Sequence, residues 1–567
     1  MRKEEVRKEL KPPLEWPKVG VVTARYDDEI QDVWACRYGN LTEIMKAGVS
    51  EFGDKEMWYF PDFRIRWTHN QFDTVVNNAA CWLRQEYGIK KGDRVAIMMT
   101  NLPEAFVSYL ALSQIGAISV IINARLAGEE AERQFQDSGC LAAVIEVGLW
   151  DTVKHFLGTL PGFRQAFVSG TESKDGAIPL LTLIDRHAPE EILVDVSERD
   201  ICSLIYTSGT TGVPKGTIIT HRNVVNTAMN IRSAREIMEA GLPEEELAEM
   251  RRDPNQIIMT PFFHVTTLHT LVNLTLMGTR SVVMSTFDAK KAVDLLIDEK
   301  IQATAMVTAM YWLLRMQPRY AELVQGGHLK SISQGGSPMP PEMCAQLSKE
   351  FPKAKVGNGY GFTEGASLGW LMWMYGDLKA ILAKPGSVGG TLGNSRVRIV
   401  DERMNDVPQG KPGQILASSP GISPGYWNLP EETAKSFIKD KDGRRWFLTG
   451  DVGYTDEDGY TFVVDRIKSM ICRGGENVYT VELENLISQH PKVLEVGVVG
   501  VPDNVLGEKI KAVIWTVPGE TVTEQEIKEF CKGRIAEYKV PDYVVFTGWP
   551  LPKNPGGKII KSELKTM

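Results

Sequence analysis

The stretch Ser203-Leu-Ile-Tyr-Thr-Ser-Gly-Thr-Thr-Gly-Val-Pro-Lys-Gly216 constrains the fold more than any other part of this chain. Leu204 to Thr207 are apolar or β-branched and predict the end of a buried strand. Ser208, Gly209, Thr210, Thr211 and Gly212 follow with no side chain bulkier than threonine, and then come Pro214, Lys215 and Gly216. A second short strand is expected over residues 217–220, with Thr220 placed to cap a helix that opens at His221. Glycines let successive backbone N–H groups converge on one anion, and hydroxyls add donors, so the loop suits a polyphosphate. It is not a Walker loop, which needs Gly directly before its Lys and runs straight into a helix. Here Pro214 precedes Lys215 and a strand follows.

At 567 residues the chain is too long for one domain, and two to four are expected. A net charge of −8 provides no basic field, so nucleic acid is excluded as a partner. The seven cysteines are scattered without a Cys-x-x-Cys pair, which points to reduced thiols, a cytoplasmic protein and no zinc site. Residues 1–10 are charged throughout, unlike a signal peptide. Ala105 to Ile122 carry no charge, but Ser108, Ser113, Gln114 and Gly116 interrupt them. A buried helix, a glycine stop and a buried strand are expected there, not a membrane span. Residues 1–40, with Pro12, Pro13 and Pro17 among charges, read as an irregular arm. From Leu41 the pattern is globular, with a helix expected over 68–87 and a strand over 94–99. Strand and helix then alternate to about residue 200, the pattern of βαβ units on a mostly parallel sheet.

Further motifs follow. A strand over 256–260 leads to Pro261-Phe-Phe-His264. The strand from Ser331 ends in Gly335-Gly336-Ser337, where bare backbone admits a planar ring. In Asn358-Gly-Tyr-Gly-Phe-Thr-Glu364, Tyr360 offers a flat face, Thr363 a hydroxyl for phosphate, and Glu364 a hard oxygen for Mg²⁺. Gly359 and Gly361 do not begin a dinucleotide fingerprint, because Glu364 stands where a third glycine is needed. Asp451, expected just past a strand and Gly450, can accept both hydroxyls of a ribose. Asp465-Arg-Ile-Lys468, Arg473-Gly-Gly-Glu-Asn477 and Pro552-Lys-Asn-Pro-Gly-Gly-Lys558 complete the series. Singly, each has a plainer reading: a polar turn, a core histidine, a solvated lysine.

Taken in order over residues 41 to 567, these motifs resemble those of the adenylate-forming enzymes: acyl-CoA synthetases, luciferases and adenylation domains. Stand-alone acyl- or aryl-CoA ligases are the nearest pattern. The resemblance implies an α/β fold. A large N-terminal domain (41–465) of doubly wound-like sheets carries a β-rich subdomain that begins near Lys384-Pro-Gly-Ser-Val-Gly389. A small, mobile α+β C-terminal domain (466–567) follows, hinged at Lys468. The implied catalytic residues are Lys558, Thr207, Glu364 and His264. Thr207, Ser208, Gly209, Thr210 and Thr211 would grip pyrophosphate, Thr363 the phosphates, and Glu364 the metal. Gly335, Gly336, Ser337, Gly359, Tyr360 and Gly361 would bind the nucleotide, with Tyr360 stacked on adenine. Asp451 and Arg466 would meet the ribose, and Lys558 would be the adenylation lysine. Gly474, Gly475 and Asn477 would serve the second step, after a domain rotation.

The implied reaction is ATP- and Mg²⁺-dependent adenylation of a small-molecule carboxylic acid, then thioester formation with CoA. A diffusible acceptor is expected because no carrier domain follows Met567. Loading of an acyl carrier protein and a luciferase-like oxygenation are the alternatives. Family members commonly show glycine shortly after the histidine; this chain has Val265-Thr-Thr267, which bears on pocket shape. No acid lies between Pro261 and Gly278, where amino-acid-activating relatives keep an aspartate, so an α-amino acid is not expected. The apolar run Gly369-Trp-Leu-Met-Trp-Met-Tyr375 favours a medium-sized or aromatic apolar acid. Homo-oligomerisation is compatible with the sequence.

Overall fold

The structure is a computed structural model that describes residues 20–26, 29–207, 214–240, 243–251, 253–336, 339, 341–365, 371–372, 384, 386–474, 476–517, 519–553 and 559–567. Local signals in the sequence are realised closely. Thr68 caps the helix His69–Gln85 in a reciprocal capping box with Gln71. Phe72, Val76, Ala79, Ala80 and Leu83 form its buried stripe. In the uncharged run, the helix Pro103–Ile115 stops at Gly116, whose φ of 77° is the left-handed C-cap conformation. The strand Ile118–Ile121 follows. Every residue of that helix is buried, which explains why the run looks apolar on all sides. Among the described residues no helix is long and apolar enough to cross a membrane.

Two large sheets and one small one organise the chain. In the first, parallel strands Arg94–Met98, Ile118–Ile121, Ala142–Ile145 and Gln165–Val168 are joined by Ile201–Thr207 and, antiparallel to it at the edge, Lys215–Thr220. The second begins as a parallel block. Asn255–Ile258, Ala303–Met306, Ser331–Gly335 and Lys355–Tyr360 run side by side. It continues through Ser387–Thr391 into antiparallel strands that include Arg445–Thr455 and Thr461–Arg466. The small sheet holds Ile471–Arg473, Glu476–Val478, Val493–Asp503, Gly507–Thr516 and Tyr543–Thr547, with helices Thr480–Ile487 and Glu524–Cys531 packed on it. Thr207, Gly335 and Tyr360 all stand at carboxyl ends of strands, the edge where open α/β sheets bind ligands.

The first 40 residues depart from expectation. Instead of an irregular arm throughout, Val21–Tyr26 pairs antiparallel with Glu29–Trp34 to form a ribbon. Its two strands are neighbours in the chain, but the side chains that anchor it lie hundreds of residues away. The Asp32 carboxylate is 5% exposed. It accepts from Arg396 at 2.5 Å, Arg444 at 3.2 Å and Thr23 at 2.8 Å. Trp34 Nε1 donates to Asn230 at 2.9 Å on the helix His221–Ala240. Burial alone would raise the Asp32 carboxyl, but bonds from Arg396 and Thr23 and the two guanidinium charges outweigh it and hold its pKa below the usual 3.8. A depressed pKa contributes stability above the ordinary value that is lost on acidification through the folded-state value. Asp32→Asn should therefore lower stability at neutral pH by about 2 kcal/mol, less than the 3–5 kcal/mol of a fully buried pair. The discount reflects the 42% exposure of Arg396. Thermal unfolding should show the gap at pH 7 narrowing as the pH falls through the aspartate range; equal midpoints at pH 7 would count against the ribbon's role.

Candidate active site

The strand ends open onto one cleft of about 2760 Å³. At one end, parallel register sets Gly335 beside Gly359. Gly336, at φ 79°, takes a conformation that favours glycine. Tyr360 closes its strand, and its hydroxyl donates in a short bond to Asp451 Oδ2. Arg466 Nε donates to Asp451 Oδ1 at 3.1 Å. Asp451 does not follow a strand, as the sequence suggested. It lies inside Arg445–Thr455, directly across from Arg466 in register, because Gly450 at φ 72° lets the strand continue through the bend. Burial, reinforced by the Asp451 carboxylate, pushes the Tyr360 phenol well above its usual pKa, so it remains a donor. The result is a carboxylate, 5% exposed, oriented by a phenol and a guanidinium at the rim of a glycine-lined slot.

Elsewhere along the cleft, Thr207 pairs across the strand with Lys215. Lys215 Nζ is salt-bridged to Glu432 at 2.7 Å and lies 5.1 Å from the Tyr426 ring centroid. Bonds from Lys215 and Lys435 draw the Glu432 carboxyl down to about 2. Tyr426 donates its hydroxyl to Glu364 Oε1 at 2.7 Å. Among the described residues no side chain donates to the other Glu364 oxygen, and no cluster of three metal-ligating side chains exists. That donor set fits Mg²⁺ only in its usual mode, one carboxylate completed by substrate phosphates and water. Sequence reasoning missed Tyr426 and Glu432 because their partners, Glu364 and Lys215, lie 62 and 217 residues away in the chain.

His264, Thr266 and Met306 also line the cleft, as do Ile231 and Ala234 of the helix His221–Ala240. Lys468 also faces it. From the small sheet's side come Lys553, Ile559 and Lys561. Asp465, which is 4% exposed, accepts from the backbone N–H of Thr480 at 2.5 Å and its hydroxyl at 2.8 Å. These bonds tie the strand before Lys468 to the helix Thr480–Ile487.

Thus Thr207, His264, Gly335, Gly336, Gly359, Tyr360, Gly361, Thr363, Glu364, Asp451, Arg466 and Lys468 share one cleft. Gly474 does not line it, and the Asn477 backbone lies in the strand Glu476–Val478 of the small sheet. Ser208, Gly209, Thr210, Thr211, Ser337, Gly475 and Lys558 lie outside the described residues, as does most of the apolar run 369–375.

The description "AMP-binding enzyme" matches residues 45–427, and "AMP-binding enzyme C-terminal domain" matches 482–558. The chain belongs to this adenylate-forming family. The AMP-binding enzyme is 32% identical over 511 residues to the long-chain-fatty-acid–CoA ligase FadD13 of Mycobacterium tuberculosis, covering 89% of this chain and 94% of the relative. It is 33% identical over 482 residues to a feruloyl-CoA synthase of Amycolatopsis, covering 84% and 89%. ATP-bound MatB from Rhodopseudomonas palustris has the same fold, with a TM-score of 0.80, 26% identity, and coverage of 93% and 98%. The chain is accordingly an AMP-forming acid–thiol ligase, joining a carboxylate to CoA through an acyl adenylate at the expense of ATP.

Proposed function

We propose that this ligase activates an apolar acid of medium size or with an aromatic ring, and that the cleft residues divide the work as follows. Thr207 and the loop 208–211 hold the leaving pyrophosphate. The glycines around Gly335 and Gly359, with the Tyr360 ring, receive adenine, and Asp451 accepts the ribose hydroxyls beside Arg466. Thr363 meets the phosphates. Mg²⁺, held by Glu364 together with phosphate oxygens, spreads the negative charge when bound. His264 separates the nucleotide from the acid. Lys558 bridges the carboxylate and the α-phosphate. A carboxylate oxygen then attacks the α-phosphorus, pyrophosphate leaves, and the CoA sulfur displaces AMP from the acyl carbon. Two anions must approach one another, so positioned cations and donors carry the rate, each typically worth about 3–4 kcal/mol.

The chain divides into an N-terminal unit to residue 465 and a C-terminal unit from 466, turning about Lys468 so that Gly474, Gly475 and Asn477 serve thioester formation. The observation that carries the reading is the Tyr360–Asp451–Arg466 triad, sharing a cleft with Glu364 and with both residues that flank segment 554–558. The apolar wall of Ile231, Ala234 and Met306 supports the acid class. A panel of carboxylic acids scored by CoA-dependent AMP formation tests it. Medium-chain and aryl acids should turn over, while acetate and α-amino acids should not. Preference for acetate would sink the acid class, and pyrophosphate exchange without any CoA-dependent AMP would sink the CoA step.

A further inference from the structure

The segment Ser423–Trp427 touches both halves of the phosphate end. Tyr426 forms an antiparallel bridge with Thr217, two residues beyond Lys215. Ile218 N–H donates to Gly425 O at 3.0 Å, and Trp427 N–H to Gly216 O at 2.7 Å. On its other side, Ser423 N–H donates to the Glu364 backbone oxygen at 2.6 Å. Three backbone hydrogen bonds, two of which form that bridge, therefore fix the strand that leaves the glycine-threonine loop against the turn that carries Glu364. Within this strap, Tyr426 is held tightly. Its N–H donates to Thr433 Oγ1 at 2.9 Å, its ring packs 5.7 Å from Phe437, and Lys215 caps the ring while bonded to Glu432. Its hydroxyl donates to Glu364 Oε1 at 2.7 Å.

We infer that Tyr426 is a positioning residue for the metal: its hydroxyl fixes the Glu364 carboxylate, turning the second oxygen towards the phosphates. The inference rests on the proposed role of Glu364. A carboxylate on a short 3₁₀ turn, Thr363–Gly365, would otherwise rotate about its own side-chain bonds. A single donor on one oxygen removes that freedom, as partners of metal ligands commonly do. Lys215 acts one layer further out, through the ring of Tyr426 and the carboxylate of Glu432.

The test compares wild type, Tyr426→Phe, Glu364→Gln and the double variant. ATP binding is measured by calorimetry with Mg²⁺ and with EDTA, and Mn²⁺ bound in the ATP complex is counted from its free-ion EPR signal. Tyr426→Phe keeps the ring and its packing. It should weaken Mn²⁺ and Mg²⁺ binding in the ATP complex by about 10-fold or more, with metal-free ATP affinity unchanged. In the Glu364→Gln background, Tyr426→Phe should add nothing. Wild-type metal affinity in Tyr426→Phe, or an equal loss of metal-free ATP affinity, would overturn the inference. If Glu364→Gln itself leaves metal-dependent ATP binding intact, the reading of Glu364 fails and takes this inference with it.

Discussion

Replacing Lys558 with alanine should lower ATP–pyrophosphate exchange by about 10²–10³-fold, the usual cost of removing one preorganised charge-stabilising donor. Thioester formation from a supplied acyl adenylate and CoA should persist. The residues on both sides of the segment motivate this split. Lys553 and Ile559 pair across an antiparallel bridge, Ile560 N–H donates to Pro552 O at 2.8 Å, and both Lys553 and Ile559 line the cleft. A cation delivered between two reacting anions matters while the carboxylate meets the α-phosphate. It has no comparable task once the adenylate exists. Normal exchange in Lys558→Ala, or equal loss of both half-reactions, would remove the lysine from its proposed place.

Asp451→Ala should raise the KM for ATP by about 100-fold or more, since each hydrogen bond to a charged group contributes about 1.5–3 kcal/mol and the proposed contact involves both ribose hydroxyls. The same change leaves Arg466 and the Tyr360 hydroxyl without their shared acceptor. A discriminating measurement uses 2′,3′-dideoxy-ATP. Wild type should bind it far more weakly than ATP, and Asp451→Ala should bind the two alike. If the variant still discriminates, the ribose contact lies elsewhere.

What the sequence disclosed and what it hid follow from the range of the interactions. The helix start near residue 68, the Gly116 stop and the strand ends at Thr207 and Gly335 are set by residues within a few positions of one another, and each was legible. Motifs could be put in order because each carries its own local chemistry. Asp451 was recognised but misplaced, since a glycine inside a strand looks like a strand's end until the partner strand is known. Tyr426 is 62 residues from Glu364 in sequence, and nothing around it announces a ligand. The same holds for Lys215. Its neighbourhood suggests a phosphate contact, while its actual partner is Glu432, 217 residues away.

The N-terminal ribbon bears on where this enzyme can be cut. The family description begins at residue 45, downstream of the whole ribbon. A chain shortened to that boundary would leave Arg396 and Arg444 facing each other without Asp32, and Asn230 without the Trp34 indole. Asn230 precedes Ile231, which lines the cleft on the wall proposed to receive the acid, and it is wedged against Gly393, where even a methyl group would collide with it. Trimming to the recognised domain should therefore loosen the wall proposed to sort acids while sparing the Tyr360–Asp451 end of the cleft proposed to hold ATP. The shortened protein would be a less selective catalyst rather than a dead one.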